Sequence, residues 1–242
     1  MTPARTTTSA GRPPRGTGPV ARGARLLAGL VLFAVSMAML VHAGLGAMPW
    51  DVLTLGIQVH TRASFGLITG LTSLAVLACW WPLRQRPGLG TVANVIVIGA
   101  LVNPVLNVLD LLPPLAMGWR VLLLVGGVVT NAVATGLYIG ARLGPGPRDG
   151  LMTGLVARTG WSVRVVKTSI EVAVVAVGWL LGGTVGVGTL VYAVGVGPLI
   201  HLLLPRLTVP AVAAQPSSEP EREPAPEPGP GQAPEPVRAE PV

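Results

Sequence analysis

The sequence predicts an all-α integral membrane protein, with six transmembrane helices arranged as two inverted three-helix repeats. Three observations predict it. Half of the 242 residues are hydrophobic and only 11% are charged, against about 25% charged in a soluble globular domain. Six apolar runs reach or approach the ~20 residues needed to cross a bilayer. The chain also aligns with itself, without a gap, at a shift of 98 residues.

Residues 1–24 are rich in Thr, Pro, Gly and Arg without periodicity, and read as a disordered basic tail. The transmembrane domain is expected over 25–206. Its apolar runs are Leu26–Leu45, Phe65–Trp81, Val92–Leu112, Val121–Ala141, Val165–Leu181 and Leu190–Leu204. In lipid the backbone must satisfy its own hydrogen bonds, so each run is a helix. The first run is too long for the h-region of a cleaved signal and is expected to be retained. Trp80, Trp81, Trp119, Trp161 and Trp179 fall near predicted helix ends, where indoles favour the headgroup level. Residues 207–242 alternate Pro with Glu, Ala and Gly, and read as a second disordered tail.

Charge sets the orientation. The only acids between Arg25 and Arg206 are Asp51, Asp110, Asp149 and Glu171. With the N-terminus inside, Arg84, Arg86, Arg142, Arg148, Arg158, Arg164 and Arg206 are cytoplasmic, and only Arg62 and Arg120 lie outside. This asymmetry places both termini in the cytoplasm. The basic residues make no basic face and have no aromatic interleaving, which excludes nucleic acid as a partner. A single cysteine, Cys79, excludes an internal disulfide framework and a Cys-rich zinc site.

The repeat is carried by rare residues. Leu45-Gly46-x-x-Pro49-x-Asp51-x-Leu53-x-x-Gly56 matches Leu143-Gly144-x-x-Pro147-x-Asp149-x-Leu151-x-x-Gly154. The register continues through Thr61/Thr159, Ser64/Ser162, Trp81/Trp179, Gly88/Gly186, Gly90/Gly188 and Thr91/Thr189. The first copy covers about 27–101 and the second about 125–199. Three helices per copy is an odd number, so the second copy enters the membrane from the opposite face.

Pro49 and Pro147 are expected to break the helix before them. Asp51 and Asp149 then read as N-caps of short helices over about 52–60 and 150–158. These helices lie in the interface or dip into the bilayer. Ser64 and Ser162 read as caps of the spans that follow. The aspartates carry two readings: structural caps, or gates of a path with Arg148 as partner. The Gly-Pro-Gly-Pro-Arg-Asp-Gly stretch at 144–150 lacks the Gly-Lys-Ser/Thr ending of a phosphate loop.

Polar residues inside spans must face protein or water. Glu171 lies one turn into the fifth run, and Lys167 on the same face can pair with it. Asn103, Asn107 and Asp110 form one stripe on the third run, with Asn94 roughly on the same side. The stripe serves as interhelical glue or lines a path. His201 aligns with Asn103 through the repeat and is a packing residue or a proton relay. His42 and His60 lack metal-site spacing, no cofactor motif is present, and no catalytic constellation appears, so the chain is not expected to be an enzyme.

Pro49-Trp50-Asp51-Val52-Leu53, Arg86-Pro87-Gly88-Leu89-Gly90-Thr91, Gly144-x-Gly146-Pro147-Arg148-Asp149-Gly150-Leu151-Met152 and Gly178-Trp179-Leu180-Leu181-Gly182-Gly183 resemble the YczE branch of the YczE/YyaS/YitT bacterial membrane proteins. The resemblance covers about residues 25–206. It implies a bacterial inner-membrane protein and no established biochemical activity. The expected function is a small-solute transporter or permease, monomeric or homodimeric, whose partners are the lipid bilayer and a small solute or ion. Asp51, Asp149, Arg148, Glu171, Asn103 and His201 are its expected gate or path residues, with Pro49, Pro147, Gly90, Thr91, Gly188 and Thr189 as structural motif. The alternative is a non-transporting membrane scaffold or regulator acting through its C-terminal tail.

Overall fold

A computed structural model describes residues 18–208, and every regular element among them is an α-helix. The helices are α1 (Pro19–Ala43), α2 (Pro49–Thr61), α3 (Phe65–Ala78), α4 (Leu89–Leu109), α5 (Met117–Gly140), α6 (Pro147–Thr159), α7 (Val163–Leu180) and α8 (Val187–Leu207). The first begins at Pro19, earlier than the sequence suggested. Proline is tolerated at the first position of a helix, and Arg22 in the first turn has a fixed task described below. The rest of the two expected tails lies outside the described residues.

The 98-residue register is visible in the backbone. The bounds of α2 and α6 differ by 98 at both ends, as do those of α4 and α8. The eight residues with positive φ also form four pairs at that shift: Gly44/Arg142, Gly46/Gly144, Arg62/Gly160 and Arg84/Gly182. Left-handed backbone normally favours glycine, yet three of these positions carry arginine. The repeat therefore preserves the turn even where the residue has changed.

The same exchange governs how the halves meet. Arg22 donates from Nε to the Ala141 carbonyl at 3.0 Å and from Nη2 to that of Arg142 at 2.6 Å. Arg120, its repeat mate, donates to the carbonyls of Ala43 at 2.7 Å and Gly44 at 2.8 Å. Each cation thus meets the unsatisfied carbonyls at the other helix's C-terminus, where positive charge is favoured. It follows that α1 and α5 run antiparallel. They cross closely, since a Cβ on Gly29 would lie 2.7 Å from the Tyr138 amide nitrogen.

Two further contacts orient α4 and α8. The Gly90 N–H donates to the Leu143 carbonyl, and the Gly188 N–H donates to that of Leu45, both at 2.8 Å. A Cβ at Gly90 would come 2.8 Å from the Gly144 oxygen, and one at Gly188 would come 2.7 Å from that of Gly46. Thr91 and Thr189 accept from the N–H groups of Gly88 and Gly186, holding each helix start. So α4 starts at the end of the bundle where α5 stops, and α8 starts where α1 stops.

Among the described residues, four helices are long and apolar enough to cross a membrane: α1, α4, α5 and α8. A fifth crossing arises if α2 and α3, bent by 116° at the break between them, are taken as one. This differs from the six single spans expected. The second apolar run ends as a helix at Ala78, and a 14-residue helix covers only about 21 Å at 1.5 Å per residue. The fifth run became α7, where Arg164, Lys167 and Glu171 crowd 18 residues with charge. Large apolar side chains such as Leu71, Ile96, Leu122 and Val194 point outward and exposed, a surface that suits lipid rather than water.

Two local expectations are corrected. Asp51 and Asp149 are not N-caps. Met48 and Gly146 hold that position, each with extended backbone, and the prolines stand in the first turn. A proline already set at helical φ starts a helix more readily than it ends one, and the preceding break belongs to the positive-φ residues. Trp80 does not face lipid headgroups either. It is 2% exposed and donates from Nε1 to the Pro147 carbonyl at 3.0 Å. Trp81, Trp119, Trp161 and Trp179 are exposed. Ser64 and Ser162 do cap α3 and α7, accepting from Leu67 and Val165.

Candidate functional site

The first turns of α2 and α6 approach each other between the two halves. Pro49 and Pro147 occupy the start of each helix, so the first free backbone N–H groups belong to Trp50 and Arg148. These two residues are repeat mates, and they touch. The Arg148 guanidinium carbon sits 5.1 Å from the centre of the Trp50 ring, within the range of cation–π attraction.

Around this contact lies a cavity of about 140 Å³. Much of its polar wall comes in repeat-equivalent pairs: Trp50 and Arg148, Thr69 and Lys167, Ser73 and Glu171, Asn94 and Tyr192. The cavity therefore straddles the relation between the halves. Its chemistry does not. The first half contributes neutral groups at these positions, and the second contributes Arg148, Lys167 and Glu171.

The two aspartates also differ. Asp149 lines the cavity and accepts from the Tyr138 hydroxyl through Oδ2. Leu40 stands where Tyr138 would have its mate. Asp51 is fully buried, and neither of its oxygens has a hydrogen-bond partner among the described residues. Its nearest cation is Arg148, with Nη1 at 3.8 Å from Oδ1. A buried carboxylate needs such a partner, because the desolvation of an isolated charge is worth several kcal/mol. Lys167 and Glu171 form the expected pair one turn apart on α7.

Of the expected site residues, the structure brings Asp149, Arg148 and Glu171 into one cavity, with Asp51 behind Arg148. Asn103 and His201 are elsewhere. Asn103 accepts from the Gly66 N–H at 2.8 Å, fixing α3 against α4. It borders a separate groove with Asn107, Asp110 and His42, in which His42 and Asp110 approach to 3.1 Å. His201 is exposed on α8. The stripe on α4 is thus divided, with Asn94 in the central cavity and Asn103 in the helix contact. Among the described residues, no three His, Cys, Asp or Glu side chains converge as a metal site.

Sequence reasoning missed Trp50, Thr69, Ser73, Tyr138 and Tyr192. For three of these the signal was present in the repeat register: each aligns with a polar residue already singled out, Arg148, Lys167 or Glu171. Tyr192 aligns with Asn94. Only Tyr138 has an apolar mate, and nothing in the pattern marked it.

The family of unknown function DUF6198 matches residues 20–205. An uncharacterized protein of Haemophilus influenzae is 38% identical over 179 residues, 74% of this chain and 81% of that protein. The uncharacterized membrane protein YczE of Bacillus subtilis is 31% identical over 188 residues, 74% of this chain and 83% of that protein. No solved structure matches. With the match running from the first turn of α1 almost to the end of α8, the chain belongs to the DUF6198 family and is a relative of YczE.

Proposed function

We propose that this chain is a bacterial inner-membrane transporter or permease for a small solute, built from two inverted repeats with both termini in the cytoplasm. The observation that carries the reading is the cavity between the halves, walled by repeat-equivalent positions. Inverted-repeat transporters place their site at the repeat interface, with broken helices whose N-termini face it. The antiparallel course of α1 and α5 supports the inversion. So does the chain path: α1 ends at one end of the bundle and α4 begins at the other, which makes α2 and α3 together one bent crossing. By the same reasoning α6 and α7 make a sixth. Arg148 and Asp51, from different halves, act as the inner element of a gate.

The test is swelling of proteoliposomes in isosmotic solutions of a polyol, an amine salt, a carboxylate salt and an amino acid, followed by light scattering. At least one solute enters faster than into empty vesicles, and Asp149→Asn abolishes the difference. Removal of residues 209–242 leaves it intact. If every solute enters at the empty-vesicle rate, the transport reading fails. If activity in cells instead depends on 209–242, a scaffold acting through its tail takes its place.

A further inference from the structure

We infer that the central cavity binds a small zwitterion, a molecule of amino-acid size carrying one carboxylate and one ammonium group. This rests on the transport reading only for the solute's passage; binding stands on the cavity itself.

The charges on the cavity wall cancel. Two cations, Arg148 and Lys167, and two anions, Asp149 and Glu171, line a space of about 140 Å³, with Asp51 buried behind Arg148. A net anion or a net cation entering this space would leave one charge uncompensated at low dielectric. A ligand with both signs would not. The wall also holds donors and acceptors that its own hydrogen bonds leave unspent. Arg148 makes no hydrogen bond among the described residues: it stands 3.8 Å from Asp51 and stacks on Trp50. A planar guanidinium with free N–H groups is matched to a carboxylate, which it grips with two parallel hydrogen bonds. The backbone N–H groups of Trp50 and Arg148, in the first turns of α2 and α6, have no acceptor within their own helices and favour the same negative group. On the acidic side, Asp149 accepts from Tyr138 through Oδ2, and Glu171 pairs with Lys167 through Oε1. The second oxygen of each is left for an ammonium group. Tyr192 lines the same cavity.

The test truncates the ligand rather than the protein. Full-length protein in detergent is melted with valine, with isobutylamine (valine without its carboxylate) and with 3-methylbutanoate (valine without its ammonium). Alanine, ethylamine and propionate form a second, smaller set. In at least one set the zwitterion raises the melting midpoint and both truncated partners leave it unchanged. Arg148→Lys, which keeps the charge and loses the fork, weakens that zwitterion at least tenfold, and Glu171→Gln does the same. Equal protection by an amine alone, or by a carboxylate alone, overturns the inference, as does the absence of protection by either zwitterion. The two readings fail separately. Polyol swelling without zwitterion binding refutes this inference and leaves transport standing. Zwitterion binding with no solute flux refutes transport and leaves the site standing.

Discussion

The two halves share a backbone and differ in chemistry. In the repeat register of Asp51 the first half has Trp50, Thr69, Ser73 and Leu40. At the matching places the second sets Arg148, Lys167, Glu171 and Tyr138 around Asp149. The packing between halves has diverged in a complementary way too. Trp80 fills the space left by Gly150, where a Cβ would collide with the indole ring. At the equivalent contact the sizes are exchanged: Gly178 faces Val52, and a Cβ there would sit 2.6 Å from the Val52 carbonyl carbon. Large-with-small is kept on both sides, with the partners swapped. The lesson is that repetition fixes where the helices start, turn and meet, while the individual side chains are free to make one half charged and the other neutral.

The comparison can be broken most severely at the charged half. Arg148→Gln leaves Asp51 buried without a cation, and the expected cost is about 3–5 kcal/mol. Asp51→Asn in the same background recovers much of it, which thermal unfolding monitored by size-exclusion chromatography would show. Next comes Gly150→Val, which gives the second half the first half's residue. Overpacking against Trp80 destabilises by about 3 kcal/mol, and a double-mutant cycle with Trp80→Ala shows strong coupling. Tyr138→Phe removes the hydroxyl from Asp149 and costs about 2 kcal/mol, while the same measurement on Leu40→Met, at the mate, stays within about 1 kcal/mol. The smallest effects lie outside the cavity. Asn103→Ala costs about 1 kcal/mol through the freed Gly66 N–H, and His201→Ala falls within about 0.5 kcal/mol. Neither changes solute flux, because neither residue borders the cavity.

Much of the architecture was legible because the repeat is written in residues that are rare in an apolar chain. Pro49/Pro147 and Ser64/Ser162 marked the short helices and their successors. Membrane-crossing was harder to read. Hydropathy registers apolar length, and α3 is apolar but too short, while α7 is long enough but charged. Neither property reveals the sharp bend that joins α2 to α3. In the site, Asp149, Arg148 and Glu171 stood out because charge in an apolar run is costly. Asn103 stood out for the same reason, yet its amide is spent on a backbone N–H of α3, a contact between helices that one sequence does not display. Tyr138 was invisible because a tyrosine in an apolar helix carries no signal until its hydroxyl is seen to meet a carboxylate.

The account turns on the inversion of the two halves, and sided cysteine labelling tests that directly. Cys79 is replaced by Ser, and single cysteines are placed at the repeat mates Thr61 and Thr159, both exposed at the ends of α2 and α6. Intact and permeabilised cells are then treated with a membrane-impermeant thiol reagent. With the halves inverted, one position labels in intact cells and the other only after permeabilisation. Labelling of both from the same side would contradict the inversion, and with it the shared cavity as a path between the two faces of the membrane.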